Sequence, residues 1–354
     1  MKFSIASLGE EPAPRYADLV RLCELLGYDG LCHTDTKWTR DVFVRLSQAA
    51  ISTSRIGLNM TTADPYTRHP ALTAQATASV GELSNGRLKV VLGIGSHYET
   101  MPGYGPTKPV AGLREAAEVM RRLWAGERVT VEGREIRFLG GKFDFTVAPR
   151  HVPKLWLAGR GPKVLELAGE IGDGALVGSY AIPAGIEWAR SHIARGLTRA
   201  GRSEASFPIA SWLYVCLLER EGDPIPEAIR RGISHGIWSS RDVIPDVLPQ
   251  LGVELPDDLV DFLRNGPRSW AGEVLTEVRR LIPDSVAAAM AVVGTPSQVA
   301  DRLATLHDAG VTEFMIWPTP RPGQGLEEFV IQLADDVVTP LRGPISRDTY
   351  EMID

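Results

Sequence analysis

The chain has 354 residues, 44% of them apolar and 23% charged, with 38 Lys and Arg against 44 Asp and Glu for a formal charge of −6. That is enough apolar material for a large buried core, and an acidic balance argues against a surface built to neutralise a phosphodiester backbone, so no nucleic-acid partner is expected. Three widely spaced cysteines, Cys23, Cys32 and Cys216, suggest neither a disulfide framework nor a zinc site and fit a reducing cytoplasm.

In chain order, short apolar runs at 2–7, 29–34, 55–61, 88–94, 154–158, 174–178, 207–218 and 311–317 read as strands. Glu10, Glu11 and Pro12 follow the first run where a signal peptide needs apolar residues, and no segment reaches the roughly 18 apolar residues of a membrane span. Between the runs lie helical patterns. Leu19, Leu22, Cys23 and Leu26 recur at helical spacing, as do Leu113, Ala116, Met120 and Leu123, and Gly27, Asn85-Gly86 and Gly126 stand where C-caps are wanted. Thr295-Pro296-Ser297-Gln298 reads as a capping box ahead of Val299, Leu303 and Leu306. A last helix is expected over 326–341.

Eight strands alternating with eight helices predict an α/β fold of the closed (β/α)8 TIM-barrel type, with a six-stranded open sheet as the alternative. Two stretches break the alternation: a hairpin around Glu132-Gly133-Arg134, within about 127–150, and a proline-rich, acidic, helical insertion at about 222–285, expected near the mouth of the barrel. The whole of 1–354 is read as one domain.

Strand-end loops of a parallel barrel converge over one mouth, and three sequence motifs fall there. Asp64-Pro65-Tyr66-Thr67-Arg68-His69-Pro70, Glu82-Leu83-Ser84-Asn85-Gly86-Arg87 and Val91-Leu92-Gly93-Ile94-Gly95 follow Arg40-Asp41-Val42 in that order. Asp35, after the second strand, offers a carboxylate that can hold a ring or a substrate nitrogen, with His33 just before it. Gly95 and Ser96 follow the fourth strand, and His97 beside them can move a proton near neutral pH. The turn Ala158-Gly159-Arg160-Gly161-Pro162-Lys163 opens a helix, where unpaired N–H groups and the added cations suit a phosphate; Gly178 and Ser179 form a second such strand end. Each of these also has a structural reading, as a strand cap, a loop anchor or an ordinary βα turn. No Walker loop, HExxH, CxxC or G-x-S-x-G element is present, and a barrel hydrolase using His33 and Asp35 on a metal would need further ligands.

Together the three motifs resemble the luciferase-like oxidoreductases, and among them the methylenetetrahydromethanopterin reductase type, whose members bind a flavin or the deazaflavin coenzyme F420. The resemblance covers about 2–178 and 294–317. It implies that Asp35 lies beside the cofactor ring, that a non-proline cis peptide joins Thr61 and Thr62 against that ring, and that Ala158 to Gly161 follow the cofactor's phosphate-bearing chain. The histidine that many deazaflavin-using relatives carry next to the acid is Thr36 here, and the acid some carry after the fourth strand is Ser96. The implied activity is hydride transfer between coenzyme F420 and a small organic substrate, with Asp35 and His97 as catalytic residues and a homodimer as the assembly. An FMN-dependent monooxygenase served by a separate flavin reductase, and a cofactor-binding barrel without catalysis, are the alternatives.

Overall fold

The computed structural model describes residues 1–343 apart from 8, 10, 97 and 102 and the side chain of Glu99. Four βα units come first: β1 (Lys2–Ser7), α1 (Ala13–Leu25), β2 (Gly30–His33), α2 (Val42–Ser52), β3 (Gly57–Ala63), α3 (Pro70–Leu83), β4 (Leu88–Leu92) and α4 (Pro109–Trp124). An antiparallel hairpin, β5 (Val129–Glu132) and β6 (Arg137–Gly141), precedes β7 (Lys154–Gly159), α5 (Pro162–Ile171), β8 (Ala175–Gly178), α6 (Pro183–Arg199) and β9 (Ile209–Leu217). Five helices follow, α7 (Glu227–Ser239), α8 (Ile244–Val247), α9 (Asp257–Asn265), α10 (Gly272–Leu281) and α11 (Asp284–Met290). Then come β10 (Ala291–Gly294), α12 (Pro296–Asp308), β11 (Glu313–Pro318) and α13 (Leu326–Leu333), which runs through a π-helical turn into α14 (Thr339–Arg342).

Parallel pairing runs β1-β2-β3-β4-β7-β8-β9-β11 and returns from β11 to β1, so the expected eight-stranded barrel closes and the hairpin stays outside it. A ninth strand, β10, is the addition. Nine residues of β9 have room for two neighbours on one edge: β8 pairs with Ile209 to Trp212, and β10 with Tyr214 to Leu217. Four apolar residues directly after a helix carry no periodicity of their own, which is why β10 does not stand out in the sequence.

Side-chain alternation sorts each strand into two faces. Phe3 and Ile5 of β1, Leu58 and Met60 of β3 and Leu155 and Leu157 of β7 point outward into the main core beneath the helices. The other face lines the barrel interior. At its lower end Lys89 bonds Glu313 at 2.6 Å and lies over the Trp156 ring at 4.0 Å, while Ser4 donates to Glu313 and Asn59 to Ser4. Above them Ala6, Cys32, Val91, Trp156, Leu176, Ala210 and Met315 form a second, smaller cluster. The interior is a packed core up to this level.

The local signals hold where their mechanism is simple. Thr295 and Gln298 make the reciprocal capping box. Asn85 and Gly86 both take positive φ after α3, and a Cβ on Gly86 would collide with the Arg150 carbonyl. Arg87 explains the end of its motif. Its guanidinium donates to the carbonyls of Ala50, Thr53, Ile56 and Ser84 and to the Thr53 hydroxyl at 2.8–3.0 Å, tying the C-terminus of α2 to that of α3.

Candidate active site

Above the Trp156 layer, alternation places Thr34, Thr61, Gly93, Ala158 and Gly178 on the inward face of β2, β3, β4, β7 and β8 or just beyond their ends. All are small. On β9 and β11 the same level carries Trp212 and Trp317, with ring centroids 5.6 Å apart, and Tyr214 follows at 5.8 Å from Trp317. The strand ends thus carry small residues on one side and rings on the other.

The open side bears the expected backbone feature: the Thr61–Thr62 peptide is cis. Thr61 is buried beside the Cys32 thiol, and the Thr62 side chain fills the place that a Cβ on Gly93 would need, at 2.9 Å. Gly95 takes φ +79° and passes within 2.6 Å, at its missing Cβ, of Asp64 Cβ. Ser96 is half-buried on the same loop. His97 lies outside the described residues.

Asp64 gathers three loops. It accepts from the Tyr66 and Thr67 amides and the Thr67 hydroxyl at 2.8–2.9 Å, and pairs with Lys37 at 3.0 Å. Lys37, from the loop after β2, also lies 4.5 Å over the Tyr98 ring from the loop after β4. Burial alone would raise the Asp64 carboxyl; the Lys37 charge and the Thr67 hydrogen bonds override it and hold it below the usual carboxylate value. Arg68 pairs with Asp41, the N-cap of α2, and His69 caps α3 ahead of Pro70, so both belong to the scaffold.

Asp35 is half-buried on the loop after β2, and its carboxylate has no hydrogen-bond or ion-pair partner among the described residues. Burial, then the negative Asp64, push it up to about 6, against the opposing charges of Lys37 and Arg68. It is therefore poised to hold or release a proton near neutral pH. His33 does not join it. The ring points away from the barrel interior to Tyr16 on α1, whose hydroxyl sits 2.6 Å from His33 Nδ1, and burial followed by the positive Arg45 pushes it down to about 3. A metal site built on His33 and Asp35 is excluded by that orientation.

At the opposite rim, Arg160 is the central group. Its guanidinium donates to the hydroxyls of Ser240 at 3.0 Å, Ser239 at 3.2 Å and Ser179 at 3.5 Å, while its Nε is buried without a partner and no ion pair joins it to a described carboxylate. Burial lowers its pKa, opposed by Tyr214 and Tyr180. A Cβ on Gly178 would meet this guanidinium at 2.7 Å, and one on Gly236 at 3.2 Å. Ser179 is fully buried with φ +53°. Gly161 and Pro162 begin α5 immediately beside the arginine, and Lys163 is exposed on its first turn. Gly159 has a different duty, since a Cβ there would press on Val164 at 2.8 Å.

Sequence reasoning placed Ala158, Gly159, Arg160, Gly161, Gly178 and Ser179 at two adjoining strand ends, and the structure brings them together. It missed Ser239, Ser240 and Gly236, which come from α7 of the insertion some 80 residues away. It also missed the Lys37–Asp64 pair. A lysine two residues after Asp35 and the aspartate opening Asp64-Pro65-Tyr66 were visible, but nothing in their spacing pairs them.

Comparisons with known proteins agree with this architecture. The chain is 32% identical over 325 residues to the 5,10-methylenetetrahydromethanopterin reductase of Archaeoglobus fulgidus, covering 88% of this chain and 92% of the relative. It is 31% identical over 318 residues to the reductase of the same name from Methanolobus tindarius, covering 89% and 93%. The fold is similar to that of the coenzyme F420 dependent tetrahydromethanopterin reductase from Methanopyrus kandleri, with a TM-score of 0.78 at 24% identity over 95% of this chain and 98% of that one. The family model described as luciferase-like monooxygenase matches residues 1–313, and on that match the chain belongs to the luciferase-like monooxygenase family.

Proposed function

We propose that this protein is an oxidoreductase that holds coenzyme F420 in the barrel mouth and uses it to pass a hydride to or from a small organic substrate. The observation that carries the reading is Arg160: a half-buried cation with a buried, unpartnered Nε, three hydroxyls around it and a helix start beside it. Enclosing a cation without a carboxylate is costly unless an anion completes it. Coenzyme F420 carries a phosphate on a ribityl chain, which fits that place, with Ala158, Gly159, Gly161, Gly178 and Ser179 along the chain and Asp35, Thr61, Thr62, Gly95 and Ser96 around the ring. When bound, the deazaflavin supplies the hydride chemistry. The chain's own residues do the rest: the small strand ends orient the ring, the aromatic wall excludes water, and Asp35 holds a proton at its carboxyl group. Competitive titration of purified protein with coenzyme F420 and FMN tests this. Micromolar or tighter F420 binding, with FMN at least about tenfold weaker, or about 1.4 kcal/mol, is expected; equal or tighter FMN binding would favour the monooxygenase alternative.

The assembly we propose is a homodimer through α2 and α3. Outward positions Val44, Ser47 and Ile51 on α2 and Leu72, Gln75 and Ser79 on α3 carry no charge, and Val44, Ile51 and Leu72 are 66%, 71% and 54% exposed. Helix α4, by contrast, meets solvent with Arg114, Glu118 and Arg122. A two-helix face with exposed apolar residues and one charge at its edge, Glu82, is what a buried contact between copies can use. Glutamates at Ile51 and Leu72 together should halve the mass measured by light scattering, and an unchanged mass would remove this face from consideration. The three cysteines, all unpaired and buried, support a cytoplasmic setting.

A further inference from the structure

Three loops that leave adjoining strands of the barrel meet in one buried knot. Lys37, two residues after Asp35 on the loop after β2, pairs with Asp64 of the loop after β3 at 3.0 Å, and the two side chains are only 9% and 3% exposed. The same ammonium lies 4.5 Å over the Tyr98 ring of the loop after β4. Tyr98 is held in turn, its hydroxyl donating to the Ile94 carbonyl and its ring standing edge-on to Tyr66 at 6.0 Å. Gly95 passes so close to Asp64 and to the Tyr98 hydroxyl that a Cβ there would collide with both. Neither member of the ion pair has room to swing away.

Among the described residues, charged and titratable groups on several elements act on Asp35. They are Lys37 on its own loop, Asp64 and Arg68 on the loop after β3, Asp41 at the N-cap of α2 and Tyr98 on the loop after β4. Arg68 and Asp41 pair with each other at 3.4 Å near the surface and largely cancel. Burial, then the Asp64 charge, push the Tyr98 phenol up, so it carries no charge at neutral pH. One ammonium and one carboxylate, held against each other, are left. Because Lys37 is committed to Asp64, Asp35 stands beside them with no partner of its own.

We propose that Lys37 and Asp64 are positioning residues for Asp35: held as an ion pair beside it, they set opposed charges against its carboxyl and so fix the pH range over which it passes a proton. An unopposed Asp64 would keep Asp35 protonated well into the alkaline range, and an unopposed Lys37 would keep it ionised. The pair holds it between these limits, where a proton can be both taken and given. The proposal rests on reading Asp35 as the proton-holding group of the cofactor mouth, and it adds the residues that tune that group.

Urea unfolding of the full chain without cofactor is the test, with Asp35→Asn made in the parent and in Lys37→Met, Lys37→Gln, Lys37→Arg and Asp64→Asn backgrounds. In each background, the ratio of unfolding constants without and with Asp35→Asn reads what the Asp35 charge costs the fold. At pH 8 this ratio should rise about tenfold in Lys37→Met and fall about tenfold in Asp64→Asn, since one pKa unit is a factor of ten. At pH 4, where the folded protein keeps Asp35 protonated, the ratios should agree. Lys37→Arg keeps the charge and should match the parent. Lys37→Gln still donates to Asp64, and it supplies the same reading should Lys37→Met leave no folded state. Loosening of the loops would lower the ratio in both Lys37 and Asp64 variants, because a more open carboxyl ionises more easily. Opposite changes therefore support the proposal, and ratios that stay put or move the same way overturn it. Failure of the parent to bind coenzyme F420 would overturn the cofactor reading instead, and the ratios, read without cofactor, still decide the role of the pair.

Discussion

Arg160→Met is expected to weaken coenzyme F420 binding by about a hundredfold, roughly 2.7 kcal/mol. Methionine fills a similar volume, so the seat of α7 on the barrel is retained while the charge and the planar donors are lost. The lost interactions are charge-assisted hydrogen bonds to a phosphate, and the hydroxyls of Ser179, Ser239 and Ser240 lose their shared donor as well. Salt separates this from a surface effect. An exposed cation is screened over about 8 Å at physiological ionic strength, but a half-buried one is screened less, so part of the deficit should persist at high salt. Arg160→Lys should restore only part of the affinity, since a point charge cannot present the guanidinium fork. Arg160→Met should leave the unliganded protein at least as stable, because it removes a half-buried cation that lacks an acidic partner among the described residues. Calorimetric titration at low and high salt, with a thermal melt of the apoprotein, checks each part; unaltered F420 affinity would reduce the loop to an ordinary βα turn.

The second large effect concerns Asp35, and it reverses sign between stability and activity. Its carboxyl is raised from 3.8 to about 6 in the folded protein by burial and then by Asp64. The folded state therefore binds the proton more tightly than the unfolded chain does. Its stabilising contribution is complete below pH 3.8 and is lost as the pH climbs through about 6. At about 1.4 kcal/mol per pKa unit, discounted for partial solvent contact, the ionised form costs about 2 kcal/mol at neutral pH. Asp35→Asn should thus stabilise the protein by about that amount at pH 7.5 and by little at pH 4, measured by urea unfolding. Turnover should fall by at least tenfold and lose the ionisation near pH 6. Equal stability changes at both pH values would show that Asp35 ionises freely in the fold.

Features read from one or two neighbouring residues were legible before any coordinates. Thr295 with Gln298, Asn85 with Gly86 and the eight apolar runs each act over a few residues, and each took its expected place. The Thr61–Thr62 cis peptide was legible for another reason: resemblance, not local physics, pointed to it. What stayed hidden depends on contacts distant along the chain. The sequence shows Arg160 as one cation of a glycine turn, and only folding brings Ser239 and Ser240 to it. His33 looked like a partner for Asp35, but a strand turns successive residues to opposite faces, and that sent its ring to Tyr16. Four-residue β10 offered no pattern at all.

The placement of α7 restricts how this protein can diverge. One stretch of chain closes around the Arg160 guanidinium at Gly236, Ser239 and Ser240, and four residues before the first of these seats itself on Tyr214 at Gly232. Drift in α7 would disturb two neighbouring parts of the mouth at once, so those four small residues should tolerate few replacements. The outer helices α8, α9 and α10 make none of these contacts themselves. Novelty in what the protein accepts is thus cheapest to acquire beyond residue 243, where a changed loop can reshape the approach to the mouth and leave the anchoring of its deeper half intact.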